Sequence, residues 1–417
     1  MNNGYQGGGI WNEISHFMTG INYWPAKKAM YWWRDFEVEE VEEDFRRLAE
    51  NNFQVVRIFL TWEDFQPMPE IIAPTSVDHL RKVADLAFDC GVQLMPTFFC
   101  GHMSGINWMP TWMLAPGEDK GRFPIFSNNQ VRWASIRNCY TDPKVIEAQY
   151  IQIKTIVTAM KDHEAIFAYD LGNEASNWVI PPDRSHAQKW LETMTAAVKH
   201  SSGGALVTLG MHAEDLEEDR RLWPQDAAAY CDFLCMHGYP YYLPWVDDPI
   251  DPDLVPFLGI ITCWLGQKPV LFQEFGVPTH SVLTPTLPEE YVSMCKCPLW
   301  TEEDAVFYYT KVLQGLGEAG TIGGMAWCYA DYAPVLWDKH PLNEILHERH
   351  FGMFRHDGTA KPAVEIFSQY QKSLNYKLEI QAQYPWLNEK DRDKFYLHPR
   401  NNLSRLYQRY KEWLKGR

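Results

Sequence analysis

The chain has 417 residues, with 38 basic and 54 acidic side chains and a formal charge of −16. Hydrophobic residues make up 46 % and charged residues 22 %, which excludes disorder as the main state. The acidic balance argues against nucleic acid or an anionic membrane surface as a partner, and no apolar run approaches the roughly 20 residues of a membrane span.

The first residues, MNNGYQGGGIWNEISHF, carry no basic stretch followed by an apolar one, so no secretory signal is expected. Gly7-Gly8-Gly9 precedes no strand–helix unit and reads as a flexible terminus rather than a phosphate loop. Nine cysteines, an odd count in a chain too large to need disulfide staples, read as reduced thiols in a cytoplasmic protein. The aromatic content is unusual, with 18 Trp, 21 Tyr and 21 Phe, many beside Gly, Pro and Asn in apparent loops. Aromatic faces stack on the C–H faces of pyranose rings, so this distribution suits a sugar-binding cleft.

Short β-branched runs alternate with longer stretches of helical period, the pattern of repeated βα units. GINYWP (20–25) reads as a first strand, a helix faces inward through Val41, Phe45 and Leu48, and VVRIFLTW (55–62) is a second strand. A helix then runs from Ser76 as N-cap to Gly91, with Val77, Leu80, Ala84, Ala87 and Phe88 inward. VQLMPTFF (92–99) is the third strand, Asp142 and Pro143 open a long helix, and AIFAYDL (165–171) is the fourth strand. Strands follow at 205–209, 233–236, 269–272 and 323–327, with a last helix at 362–371. Eight strands with intervening helices make a (β/α)8 TIM barrel, an α/β fold, over residues 1–374. Long segments at 100–142, 239–253, 278–300 and 330–351 all follow strands, which places them on the catalytic face of such a barrel. Residues 375–417 form a separate helical extension. Its stripe of Leu403, Leu406, Tyr407, Tyr410 and Leu414 is expected to dock on the barrel or on a neighbouring subunit of a homo-oligomer.

Two glutamates stand at strand ends: Glu174 after strand four in YDLGNEASNW, and Glu274 after strand seven in PVLFQEFG. Carboxylates there point into the barrel mouth, and a pair about 5–5.5 Å apart can run a retaining glycoside hydrolysis. Around them lie Arg57 on strand two, His102 after strand three, Asn173 before Glu174, His237-Gly238-Tyr239 after strand six and Trp327 ending strand eight. In this order the chain resembles the retaining (β/α)8 glycosidase clan, above all glycoside hydrolase family 5, over roughly residues 20–371. Ala175 stands where many endo-acting members carry Pro, a departure from the common cellulase and mannanase branches.

The resemblance implies Glu274 as nucleophile, oriented and kept ionised by Arg57 and Tyr239, and Glu174 as acid/base. Asn173 is expected to bind the sugar 2-hydroxyl, His102 and His237 other hydroxyls, and Trp327 to form the floor under the reacting sugar. Trp178 is expected to give Glu174 an apolar surround that raises its pKa. Trp24, Trp62, Trp108 and Trp112 are candidates to line the cleft, while Asp331, Tyr332, Trp337 and His340 either meet the sugar or close their loop. Neither Cys295-x-Cys297 nor His347 with His350 has the further ligands of a zinc site, so no metal and no cofactor is expected. The four long βα loops, able to wall off one end of a cleft, and the absence of a secretory signal favour an exo-acting enzyme on short sugars. The likeness to intracellular family-5 β-mannosidases implies a retaining β-mannosidase. Its substrates would be short β-mannosides, including the Man-β-1,4-GlcNAc unit of N-glycan cores. An endo-β-1,4-mannanase or β-glucanase is the enzymatic alternative, and a non-catalytic sugar-binding barrel the alternative of another class.

Overall fold

The computed structural model describes residues 16–116, 121–280, 295, 297–370, 378 and 384–417. Eight parallel strands close into a barrel: β1 (Met18–Asn22), β2 (Val55–Thr61), β3 (Gln93–Cys100), β4 (Ala168–Asn173), β5 (Leu206–His212), β6 (Leu234–His237), β7 (Val270–Phe275) and β8 (Gly323–Ala326). Each pairs with its sequence neighbours, and β1 closes the ring against β8. Eight helices alternate with them: α1 (Val38–Glu50), α2 (Pro74–Cys90), α3 (Pro143–Ala159), α4 (Arg184–Ser202), α5 (Pro224–Tyr230), α6 (Leu254–Gly266), α7 (Glu302–Glu318) and α8 (Ala363–Tyr370). The strands are buried nearly throughout, as parallel strands under a helical layer must be. Registers shift near the C-terminal ends of β2, β4, β6 and β7, and such irregularities re-aim side chains at barrel rims.

Local chemistry explains where elements begin. Asp142 caps α3 by accepting from the Lys144 N–H at 2.9 Å, with Pro143 as first helical residue. Gly91 ends α2 at φ +75°, the left-handed position that glycine takes without strain. Three expectations need correction. Ser76 is not the cap of α2, which starts at Pro74; its hydroxyl donates instead to the Asp64 carbonyl at 2.7 Å. Phe88 points outward, 53 % exposed, and Val83 takes the inward place. The first and fourth strands are displaced from the predicted spans, because Tyr23 and Trp24 follow β1 and residues 163–166 turn before β4 begins.

The loop after β3 builds a sheet of its own from His102–Met103, Ile106–Trp108, Ile125–Ser127 and Gln130–Arg132, which folds over the barrel mouth. The C-terminal helix, α9 (Pro399–Lys415), buries Leu403, Leu406, Tyr407 and Tyr410, while Leu414 is half-buried. That face lies on its own barrel: the Tyr407 and Tyr410 rings stand 4.9 and 5.6 Å from Phe257, and Lys411 bridges Asp251 and Asp253. This cover explains why α6 is apolar on every side. Gly7-Gly8-Gly9, the boundary at 374/375 and residues 281–294 of the loop after β7 lie outside the described residues. No described helix is long and apolar enough to cross a membrane.

Candidate active site

Beneath the mouth lies a buried charge network. Arg57 is fully buried on β2, and its guanidinium donates to Asp170 (2.8 Å), Asn173 (2.8 Å), Asn22 (3.1 Å), Thr97 (3.0 Å) and Glu274 (3.2 Å). Asp170 is equally enclosed and also accepts from Thr97, Gln273 and the Gly210 N–H. A buried cation survives only when paired and hydrogen-bonded, and here Asp170 is the nearer counter-ion. Gly210 must be glycine, since a Cβ there would stand 2.6 Å from the Gly172 carbonyl and 3.0 Å from Arg57.

On this base stand the two glutamates. Glu274, near the end of β7, accepts from Tyr239 Oη at 2.6 Å and from Arg57. Burial pushes its carboxyl upward, and His237, Arg57 and Tyr239 pull it back toward ionisation. Glu174 follows β4 at φ +48°, a left-handed conformation costly for a non-glycine residue and typical of functional sites. A carboxylate oxygen of Glu174, one of Glu274 and a His237 ring nitrogen all lie within 4.8 Å of one another. The two carboxylates therefore face each other closely across the mouth.

The proton inventory around Glu174 departs from the sequence reading. Trp178 packs edge-on to Trp62 and does not line the cavity, so it gives Glu174 no apolar surround. Instead Glu174 accepts from Asn177 Nδ2 at 2.9 Å and shares a 3.0 Å hydrogen bond with His237 Nδ1. Gln273 Nε2 donates to Asp170, so its Oε1 accepts from His237 Nε2 at 2.8 Å. With Nε2 protonated, the bond between Nδ1 and Glu174 contains one proton, on the carboxyl or on the imidazole. Burial works against charge on Glu174, but His212 and His237 outweigh it and hold the carboxyl below its ordinary range. Burial disfavours charge on His237 too, yet Glu274 and Glu174 raise its pKa. Glu174 and His237 thus form one unit that shares a proton. Glu174, His237 and Glu274 also have the spacing of a metal site, but Arg57 already supplies a cation to Glu274 and His237 Nδ1 is bonded to Glu174.

Above the pair is a cavity of about 350 Å³, near the small end of ligand sites. His102, Asn173, Glu174, His237, Tyr239, Glu274 and Trp327 line it, and Arg57 sits directly below. Burial lowers the His102 pKa; its Nδ1 pairs with Asn107 Oδ1, which leaves Nε2 as an acceptor. Trp24 and Trp62 do not join the site: both are fully buried, Trp24 stacked on Phe59 at 4.8 Å and Trp62 bonded to Gln66. Trp108 and Trp112 likewise spend their indole N–H groups on the Met103 and Gln66 carbonyls. Asp331 closes its loop through Lys361 and the Gly352 N–H.

Sequence reasoning missed Asp170, Gln273, Asn177, His212, Glu214 and Glu348. Asp170 and Gln273 carried a signal, as polar residues inside apolar strands. His212 ends β5, and the others lie beyond strand ends, where polar residues are ordinary.

Fold and mouth together define a (β/α)8 barrel of the glycosidase type. No protein-family model and no curated protein sequence matches the chain, but solved structures do. A GH5_18 protein from Streptomyces cattleya, in complex with Manb1-4GlcNAc, superposes with a TM-score of 0.70 at 21 % identity over 85 % of this chain and 80 % of its own. An exo-beta-1,4-mannosidase from Opitutaceae bacterium strain TAV5 gives 0.68 at 26 % identity over 85 % of this chain, which spans only 59 % of that enzyme's length. A GH5_18 protein from Bifidobacterium longum subsp. longum, also with Manb1-4GlcNAc, gives 0.68 at 18 %, covering 88 % and 80 %.

Proposed function

We propose that this chain is a retaining exo-β-mannosidase that removes terminal β-linked mannose from short oligosaccharides, Man-β-1,4-GlcNAc among them. The observation that carries the hydrolytic reading is the carboxylate pair, with oxygens within 4.8 Å at the ends of β4 and β7. Glu274 attacks the anomeric carbon while the proton stored by Glu174 and His237 passes to the leaving oxygen. Glu174 then takes a proton from water, and the covalent intermediate is hydrolysed with retained configuration. Trp327 floors the reacting sugar, and Asn173 keeps one amide hydrogen for a sugar hydroxyl, the other being bonded to the His102 carbonyl at 2.9 Å.

The exo mode is supported by the walls. Loops after β3, β6 and β8 contribute Ser104, Tyr242 and Glu348 to the cavity, and Ser104 Oγ donates to Glu348 at 2.9 Å, tying two loops together across one end. Mannose is supported by the sugar bound to the Streptomyces and Bifidobacterium proteins. Nine free cysteines, seven of them buried, support a reducing compartment, the cytoplasm.

A panel of p-nitrophenyl β-glycosides tests the sugar, and NMR of the first product tests the stereochemistry. The expected result is preferred cleavage of the mannoside with β-mannose appearing first, and mannose alone released from mannooligosaccharides. A first product of α configuration overturns the double displacement; early mixed oligosaccharides from β-mannan establish the endo alternative. Absence of turnover on every glycoside leaves a sugar-binding barrel.

A further inference from the structure

Two carboxyls beyond the pair line the cavity: Glu214 is held by Arg122 and Arg220, and Glu348 is one for which double displacement has no use. Glu348 lies on the short 3-10 turn Leu346–His350, in the long loop after β8, and is only 7 % exposed. Its Oε2 accepts from Ser104 Oγ at 2.9 Å. Its Oε1 stands 3.9 Å from His347 Nε2, and the Trp327 indole N–H also donates to the carboxylate. His347 Nε2 is itself bonded to Tyr242 Oη at 2.7 Å. A carboxylate offers about four acceptor sites, so the Ser104 and Trp327 donors leave room on the cavity wall for one from a bound sugar. Burial pushes the Glu348 carboxyl up to about 7, with Ser104 and Trp327 pulling it back and Glu274 and Glu174 adding to the rise.

Position says which part of a sugar would supply that donor. In the closed ring, β8 and β4 are half a turn apart. Glu174, Asn177, His212 and Glu214 line the cavity from the β4 and β5 side, around the proton that goes to the leaving group. Glu348 reaches the cavity from the opposite side, beside Trp327 and Ser104, at the end that the two tied loops close. A sugar resting on Trp327 with its anomeric carbon at Glu274 presents its non-reducing edge to that end.

We propose that Glu348 is a specificity-determining residue whose carboxylate accepts a hydrogen bond from the C4 hydroxyl of the bound sugar, the position from which a 1,4-linked chain would continue. A free hydroxyl satisfies the carboxylate. A glycosidic oxygen has no hydrogen to donate, and the next sugar would collide with the wall, so the same group rewards terminal sugars and rejects internal ones. The role presupposes the exo-hydrolase proposed above and adds the residue that reads the chain end.

The test compares kcat/KM for p-nitrophenyl β-mannoside and its 4-deoxy analogue in wild type, Glu348→Gln and Glu348→Ala. Thermal unfolding checks that the variants fold. Wild type is expected to prefer the parent by roughly ten- to a hundred-fold, the usual range for a hydrogen bond to a charged group. In Glu348→Ala that preference should collapse toward one, with the loss on the parent falling mainly in KM; Glu348→Gln, which keeps an acceptor oxygen, should lie between. A purely structural role would slow both substrates equally and keep the ratio, so a retained wild-type ratio in a folded Glu348→Ala overturns the proposal. Wild-type turnover reads the proposed function separately. If no aryl glycoside is cleaved, that function falls, and the ratio is read from binding of mannose and 4-deoxymannose, with the same two outcomes.

Discussion

Glu274 and Glu174 are near neighbours in unlike beds. Glu274 stands on strand backbone, and its fixed cation, Arg57, is locked by Asp170, Asn22, Thr97 and Asn173 from three other strands. Glu174 stands just past its strand, and loop and strand-end side chains hold it: Asn177, itself held by Arg122 and Arg220, and His237, with His212 beyond. His212 is anchored in turn, because Ser176 Oγ donates to Asp215 at 2.6 Å and so accepts from His212 Nε2 at 2.9 Å. In the proposed roles, the charge of Glu274 therefore rests on a guanidinium held on several sides, whereas the proton of Glu174 is shared with an imidazole. Charge is kept by the ion-paired half and the proton is held by the half built on imidazoles.

The sharpest way to break this contrast is to delete each carboxylate. Glu274→Ala should lose roughly four orders of magnitude or more in kcat with every leaving group, since no covalent intermediate forms. Glu174→Ala should lose about 10²–10⁴-fold on substrates whose leaving group needs a proton and far less on dinitrophenyl glycosides. Azide should accelerate that variant to a β-glycosyl azide, seen by NMR. Azide rescue of Glu274→Ala to an α-product, with no rescue of Glu174→Ala, would remove Glu174 from the acid role.

Next in size is the buried cation. Arg57→Met strands Asp170 without its counter-ion and should cost about 3–5 kcal/mol in urea unfolding. An unchanged midpoint would mean that Asp170 does not need Arg57 to stay buried.

A smaller effect distinguishes the proton unit. Raised His237 keeps the shared proton to pH values above the ordinary imidazole 6.5, and activity falls as rising pH removes it. Raised Glu274 places the acidic limb above the ordinary carboxylate 4.5, with activity lost as falling pH protonates the nucleophile. Asn177→Ala removes a donor that favours ionised Glu174, so the unit binds its proton more tightly and the alkaline limb of kcat/KM should move to higher pH. A limb that stays put would assign it to another group.

The smallest change lies farthest from both carboxylates. Tyr407 Oη donates to Asp251 at 2.7 Å under α9. Tyr407→Phe should cost about 1–2 kcal/mol of stability by chemical denaturation and leave kcat unchanged. A fall in kcat would show that the C-terminal helix acts on the mouth as well as on α6.

The two beds also differ in how far the amino-acid sequence discloses them. Eight β-branched runs with helical stretches between them were enough for the barrel, because strand and helix periods are local properties that the chain writes directly. Glu274, Arg57 and Tyr239 were legible with it, since a charged residue at the end of an apolar strand has few places to go but the mouth. The aromatic residues were not. Trp24, Trp62 and Trp178 share composition and loop context with Trp327, yet only Trp327 meets the cavity, because whether an indole packs or lines a wall depends on neighbours distant in the chain. The Glu174 proton was misread for the same reason: its carboxyl lies among imidazoles from β5 and β6 rather than against an indole from its own loop. Local pattern determined the barrel, its strand ends and the identity of the two carboxylates. Contacts between loops far apart in the chain, Ser104 with Glu348 and Asn177 with Arg122 and Arg220, decided the shape of the cavity and the state of its acid, because hydrogen-bond partners and dielectric surroundings exist only once the strands have brought those loops together.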